Sequence, residues 1–290
     1  MKTKIRAIPF FSTVGVEFTY LPGGKEKPSD ESCDEYVRRI EKDFRKARVK
    51  PWGVYNDENA IEICSPVCRS IEELRAFYLV MERIVRKHRL VTHRKDVYSG
   101  GGHIHVGVPR RWKRNPTLLA TRMVAVFRWL ARMPCLNWVF NEWCNQTSAR
   151  PFSVESLPYD FGGLVVHQAP LIPVGAGIAD VLDVVSIGKP FMALYASETN
   201  TIEFRFFDAK RNWEEVLLHV NFLNASLHFL EMVPLGRYFN GRVPTLDDDY
   251  RESALLQFRH WLQNIGLKES DYERFIAMNY RVREKQGLLK

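Results

Sequence analysis

The chain has 290 residues, 46% hydrophobic and 26% charged, with 42 Lys and Arg against 34 Asp and Glu for a formal net charge of +8. That balance belongs to a folded globular protein, and 12% aromatic residues exclude a disordered chain. No apolar run approaches the roughly 20 residues of a membrane span. Residues 1–11 hold no apolar stretch of signal-peptide length, so a cytoplasmic protein is expected.

In chain order, residues 13–20 (TVGVEFTY) alternate and are rich in β-formers, reading as a strand ended at Pro22-Gly23-Gly24. A helix follows over 29–50, with Tyr36, Val37, Ile40 and Phe44 at helical spacing and Ser29 or Ser32 as its cap. Residues 52–64 (WGVYNDENAIEIC) read as a hairpin turning at Asn56-Asp57, and Pro66 stops its second strand. Ser70-Ile71-Glu72-Glu73 opens an amphipathic helix to His88. Residues 100–108 (GGGHIHVGV) form a glycine loop feeding a strand closed by Pro109, and 117–130 are a helix broken by Pro134. The Pro- and Gly-rich segment 152–188 is irregular. A second hairpin joins 191–196 to 201–207 (TIEFRFF), a helix covers 213–232, and a basic helical tail runs from Tyr250.

Tight hairpins between strands, with helices in between, predict an α+β fold: a mainly antiparallel sheet with helices packed on one face. A Rossmann domain is disfavoured, because no βαβ rhythm and no G-x-G-x-x-G opening a helix is found. We expect a body over 1–240 and a helical extension over 241–290 packed on it.

Four of these strands carry polar groups at spacing two, which puts each pair on one face. They are Glu17 with Thr19, Glu62 with Cys64, His103 with His105, and Glu203 with Arg205. The residues between and beside them are apolar and suited to meet the helices. A face of unpaired charge costs several kcal/mol to bury, so this one must be wet, ion-paired or metal-filled. Carboxylates with imidazoles suit divalent cations, Mg²⁺ in particular when phosphate oxygens complete the shell. Arg205 adds a fork that can grip phosphate. Taken singly, each pair has an ordinary explanation as a wet sheet face or a surface ion pair; together they read as the parts of a phosphoryl-transfer site.

The five cysteines include no C-x-x-C pair, which argues against structural zinc and for free thiols. Basic residues concentrate at 38–50, 83–95 and 110–114, which favours anionic partners, although charge runs are usually solvated faces. No RNA-binding motif or recognition-helix signature is present, so nucleic acid is an open but unfavoured partner.

The pieces GVEF (15–18), EICSP (62–66), GGHIHVG (101–107) and TIEFRFFD (201–208), in that order, resemble the amidoligase family, carboxylate–amine ligases related to glutamate–cysteine ligase and glutamine synthetase. The resemblance spans 14–232. It implies a curved, glutamine synthetase-like sheet and use of ATP and Mg²⁺. It makes Glu17, Glu62, Glu203 and His103 metal ligands and points Arg205, with His103 and His105, at the nucleotide phosphates. Glu203, Arg205 and His103 then carry catalysis. A substrate carboxylate takes the γ-phosphoryl group, and an amine displaces phosphate from the resulting acyl phosphate to give an amide. The partners are a carboxylate-bearing small molecule or peptide and an amine, with no membrane.

The chain departs from the pattern at Thr19, where the family commonly has a second carboxylate. Lys189 stands where an arginine is frequent, and Arg150 is a further candidate for phosphate or carboxylate. The basic run Arg110, Arg111, Lys113 and Arg114 is a candidate for steering an acidic substrate. Two other readings compete. One is a catalytically inactive nucleotide- or nucleic-acid-binding relative, kept open by Thr19. The other is a metal-dependent hydrolase using His103, His105 and a Glu, against which the absence of H-E-x-x-H counts.

Overall fold

The computed structural model describes residues 7, 9–23, 30–57, 60–92, 101–131, 133, 136–140, 193–196, 198–210, 212–232 and 250–285. Its centre is an antiparallel sheet. β1 (Val14–Pro22) lies between β3 (Ala60–Cys64) and β5 (Gly101–Gly107), β2 (Gly53–Asp57) extends the β3 side, and β7 (Thr201–Asp208) and β6 (Ala193–Ala196) extend the β5 side. The short β4 (Leu90–Val91) pairs with the end of β1. The sheet curls into a half-barrel, and the class is α+β as the hairpins required.

The apolar members of each alternation bury together: Val14, Val16 and Phe18 of β1, Ile61 and Ile63 of β3, Ile104 and Val106 of β5, and Ile202 and Phe204 of β7. Helices cover this face. α1 (Asp30–Lys46) and α2 (Ile71–Lys87) meet through stacked Phe44 and Phe77, 5.7 Å between centroids, and Tyr78 of α2 packs on Phe18. The α2 cap is as expected, with Ser70 Oγ accepting from the Glu73 amide at 3.2 Å. Beyond β5 come α3 (Arg110–Lys113), α4 (Pro116–Ala131) and α5 (Leu136–Phe140). α6 (Trp213–Met232) is not the amphipathic helix its spacing suggests: it is buried on nearly every side from Val216 to Leu227, with polar His219, Asn221, Asn224 and Ser226 included. Its far side is closed by α7 (Tyr250–Asn264) and α8 (Glu269–Lys285). Trp261 of α7 stacks on Trp129 of α4, and the Tyr272 hydroxyl of α8 donates to the Leu218 carbonyl at 2.8 Å.

Several boundaries differ from the sequence expectation. The first hairpin turns after Asp57, because Asn56 and Asp57 are themselves paired to Ile61 and Ala60. Ser32 lies inside α1, so it cannot be the cap. Gly101 and Gly102 belong to β5 and not to a loop: cross-strand pairing supplies the order that glycine does not favour by itself. The C-terminal segment is two helices, parted at Gly266 in the left-handed region (φ 71°). In β7 the strict alternation fails, because one extra residue opposes β5 between Gly102 and Ile104. That bulge turns both Phe206 and Phe207 to the helix side, where each meets the Phe140 ring.

Candidate functional site

The register across the sheet sets the opposite face. Gly53, Cys64, Glu17 and His103 stand in one row across β2, β3, β1 and β5. Tyr55, Glu62 and Thr19 form the row beside it. Gly15, His105, Glu203 and Leu194 form the row on the other side. Directly opposed residues on one face have their Cβ atoms about 5 Å apart, so groups scattered over the chain become neighbours.

Two local devices hold the rows in place. Ser65 Oγ accepts from the Val16 amide at 2.8 Å and donates to the Pro66 carbonyl at 2.9 Å, clamping the end of β3 beside Glu17. At the end of β5, a Cβ on Gly107 would stand 2.1 Å from Thr13 Oγ1, so only glycine allows the close approach of the two chains.

Glu17 is the hub. His103 Nδ1 lies 2.8 Å from its Oε1 and His105 Nε2 lies 3.3 Å from its Oε2. His103 Nδ1 is also 3.2 Å from Glu203 Oε1, the same oxygen to which Arg205 Nη1 donates. His105 Nδ1 is 3.3 Å from Thr201 Oγ1, which steadies the ring, and Cys64 Sγ donates to Glu62 Oε1 at 3.5 Å. The face is ion-paired and largely removed from solvent, with Glu203 8% exposed.

Burial pushes the Glu17 carboxyl up, but hydrogen bonds and charge from His103 and His105 outweigh it and hold the group well below the usual carboxylate range. Glu62 goes the other way: burial first, then the charge of Glu17, raises it to about 8. The Cys64 thiol is pushed up by burial and by the charges of Glu17 and Glu62, so it stays protonated. Two donor groups sharing Glu17 have all their ligand atoms within 4.8 Å of one another: Glu17, His105 and Glu203, and Glu17, Glu62 and Cys64.

The structure thus brings together Glu17, Glu62, His103, His105, Glu203 and Arg205. Lys189 and Arg150 lie outside the described residues. His103 contacts Glu17 and Glu203, while His105 is the imidazole in the three-donor group. Thr19 is directly opposite Glu62, so a carboxylate there would add a third acid beside Glu17 and Glu62. Thr201, Asp57 and Tyr55 were not singled out by the sequence. Parity along their strands places them on this face, but only the pairing shows what they stand beside. In the basic run, Arg111 is committed to Glu231, which also accepts from Trp112 Nε1 at 3.0 Å, whereas Arg110, Lys113 and Arg114 are exposed. His219 is fully buried among rings, far from any ligand role.

No family model matches the chain, and no curated protein matches it. Among solved structures it is similar to a bifunctional glutathione synthetase from Pasteurella multocida, with a TM-score of 0.51 and 11% identity. The match covers 96% of this chain and 50% of that one, so the chain spans about half the length of that neighbour. At this identity the likeness is one of fold. Among the described residues no helix is long and apolar enough to cross a membrane.

Proposed function

We propose that this face is the catalytic surface of an ATP- and magnesium-dependent carboxylate–amine ligase, on a glutamine synthetase-like sheet with chemistry of the amidoligase type. The observation that carries the reading is the meeting of three carboxylates, two imidazoles and one guanidinium on four adjacent strands. The synthetase named among the solved structures is of the same general kind, which agrees with the reading without carrying it.

The residues fit the groups the reading requires. Glu62, raised by burial and then by the charge of Glu17 beside it, would give up its proton when a cation binds. Arg205 Nε is buried with no partner among the described residues, an unused donor on a guanidinium already fixed by Glu203. Glu17, Glu203 and His105 would hold one divalent ion, and Glu17 and Glu62 would offer carboxylate oxygens to a second, with the protonated Cys64 thiol beside them. A magnesium ion held there would offset the charge that gathers during phosphoryl transfer. Around it, His103 keeps Glu17 and Glu203 in register, Thr201 orients His105, and Arg205 turns its free edge to phosphate. Lys189 and Arg150 are proposed as further phosphate or carboxylate contacts. The body over 1–240 would carry the site, with 241–290 as an extension packed on it, in a cytoplasmic protein whose substrates are a carboxylate-bearing small molecule or peptide and an amine.

The test is a thermal melt with and without MgATP, on the native chain and on Glu203→Gln. At ATP about 100 times Kd, binding adds roughly 2.7 kcal/mol, a rise of about 4–5 °C for a chain of this size. A magnesium-dependent rise that is lost in the variant, with amine-dependent phosphate release, is expected. A rise without any phosphate release would point to an inactive nucleotide-binding relative. The imidazole in the Glu17, His105 and Glu203 group favours one second reading, a metal-dependent hydrolase. That reading is distinguished by stabilisation with metal alone and none from the nucleotide.

A further inference from the structure

Tyr55 sits on β2, at the outer end of the site face, 47% exposed. Tyr20, Tyr36, Tyr78, Tyr195 and Tyr272 are buried or half-buried. Its Cα is paired with that of Glu62, so the side chain rises on the same side of the sheet as the donor groups. The ring does not stand upright. It folds back along its own strand over Gly53, whose Cβ, if present, would lie 2.2 Å from the ring and hydroxyl. Gly53 is the first member of the row Gly53, Cys64, Glu17, His103. A glycine at the head of that row therefore lets a flat aromatic surface lie at its end. Neither the ring nor the hydroxyl has a partner among the described residues.

Strands in a sheet lie about 4.8 Å apart, so this surface is roughly 10 Å from Glu17 along the row. That is the span of a ribose and its first phosphate groups from a nucleobase. Charge chooses the occupant. The Arg205 end of the face is where an anion is welcome. At the Tyr55 end stand two carboxyl groups, Glu62 in the paired position and raised to about 8, and Asp57 two residues along the same strand face. A phosphate finds no positive partner in either of them, whereas a neutral planar ring with amino hydrogens can stack on Tyr55 and donate to their oxygens.

We propose that Tyr55, lying over Gly53, is the stacking platform for the base of the nucleotide whose phosphates meet the Glu17-centred donors and Arg205. This rests on the nucleotide reading of the site and assigns the direction in which the nucleotide lies across the sheet: phosphates over β1, β5 and β7, base over β2.

Calorimetric titration of the whole chain in magnesium separates the two ideas, with ATP and inorganic tripolyphosphate as paired ligands. Tripolyphosphate carries the phosphates without the base. Loss of a base–aromatic stack weakens binding by about one to two orders of magnitude. Tyr55→Ala is expected to raise the Kd for ATP by that factor, leaving tripolyphosphate within about twofold, while Tyr55→Phe retains ATP affinity. Gly53→Val, which displaces the ring without removing it, is expected to act like Tyr55→Ala. Because Tyr55 is half-exposed on an edge strand, these variants should melt close to the native chain, and the tripolyphosphate titration checks that the donor cluster is intact. An unchanged ATP Kd in Tyr55→Ala overturns the platform and leaves the ligase reading standing, as does an equal loss for both ligands. Binding of neither ligand by the native chain takes down the nucleotide reading and the platform with it.

Discussion

Glu62 shows how a single side chain can be legible as a candidate while its state is not. Its alternation with Cys64 put it on a strand face, but its proton is governed by burial and by Glu17, a residue 45 positions away. With a folded value of about 8 against an ordinary 4.5, the group favours the folded state fully below about pH 4.5, and that contribution is lost as pH rises through 8. The metal-free protein is therefore expected to lose thermal stability between about pH 5 and pH 8, and Glu62→Gln to flatten that decline. Melts in chelator across this range check it; an unchanged slope in the variant would show that the carboxyl is not held neutral. At the same scale, Glu17, His103, His105, Glu203 and Arg205 were readable because a charged residue between buried apolar neighbours is costly unless partnered. Thr201 and Tyr55 were not, since a threonine or tyrosine on a strand face costs little and gives no warning.

Among the elements, β7 departs most instructively from its sequence pattern. TIEFRFF alternates cleanly as far as Phe206, and continued alternation would turn Phe207 toward the charged face. The bulge opposite β5 instead sends Phe206 and Phe207 both into the core, and Phe140 of α5 fills the space between them and α6, α7 and α8. Phe140→Ala leaves a cavity at that junction, with an expected loss of about 3–5 kcal/mol in urea unfolding. Since the bulge lies beside Arg205, the same variant is expected to weaken magnesium-dependent nucleotide binding. Full affinity at native-like occupancy would show that α5 supports the fold but does not set the Arg205 position. The helices α2 and α6 were found nearly residue for residue, because helical spacing is a local signal, helped in α2 by the Ser70 cap. The turn of the first hairpin was missed by two residues because Asn-Asp is a good turn sequence that pairing with Ile61 and Ala60 overrides.

In the molecule as a whole, the segment after 240 is joined to the core by more than contact at its rim. Phe258, Trp261, Tyr272 and Phe275 are buried with Trp129, Phe140 and Phe222, and Trp261 Nε1 donates to Ser226 on α6 at 2.9 Å. A chain ending at residue 240 would expose much of α6, which the full chain buries on nearly every side. It is expected to melt well below the full chain or to aggregate, as read by its thermal transition and by light scattering. A truncated chain with the native midpoint would make the segment an independent extension.

What the sequence determined by itself is the kind of chemistry available and the strands and helices that carry it. Period-two and helical spacings are local, and the cost of burying charge is general. It also carried the α+β class, through hairpins that exclude a parallel sheet. Only the tertiary structure decided that Glu17 is the hub, that Glu203 stands with His105, and that Tyr55 stands beside Glu62. Cross-strand register is set by the packing of the opposite, apolar side of the sheet against the helices, and a slip of one residue would turn every one of these groups away.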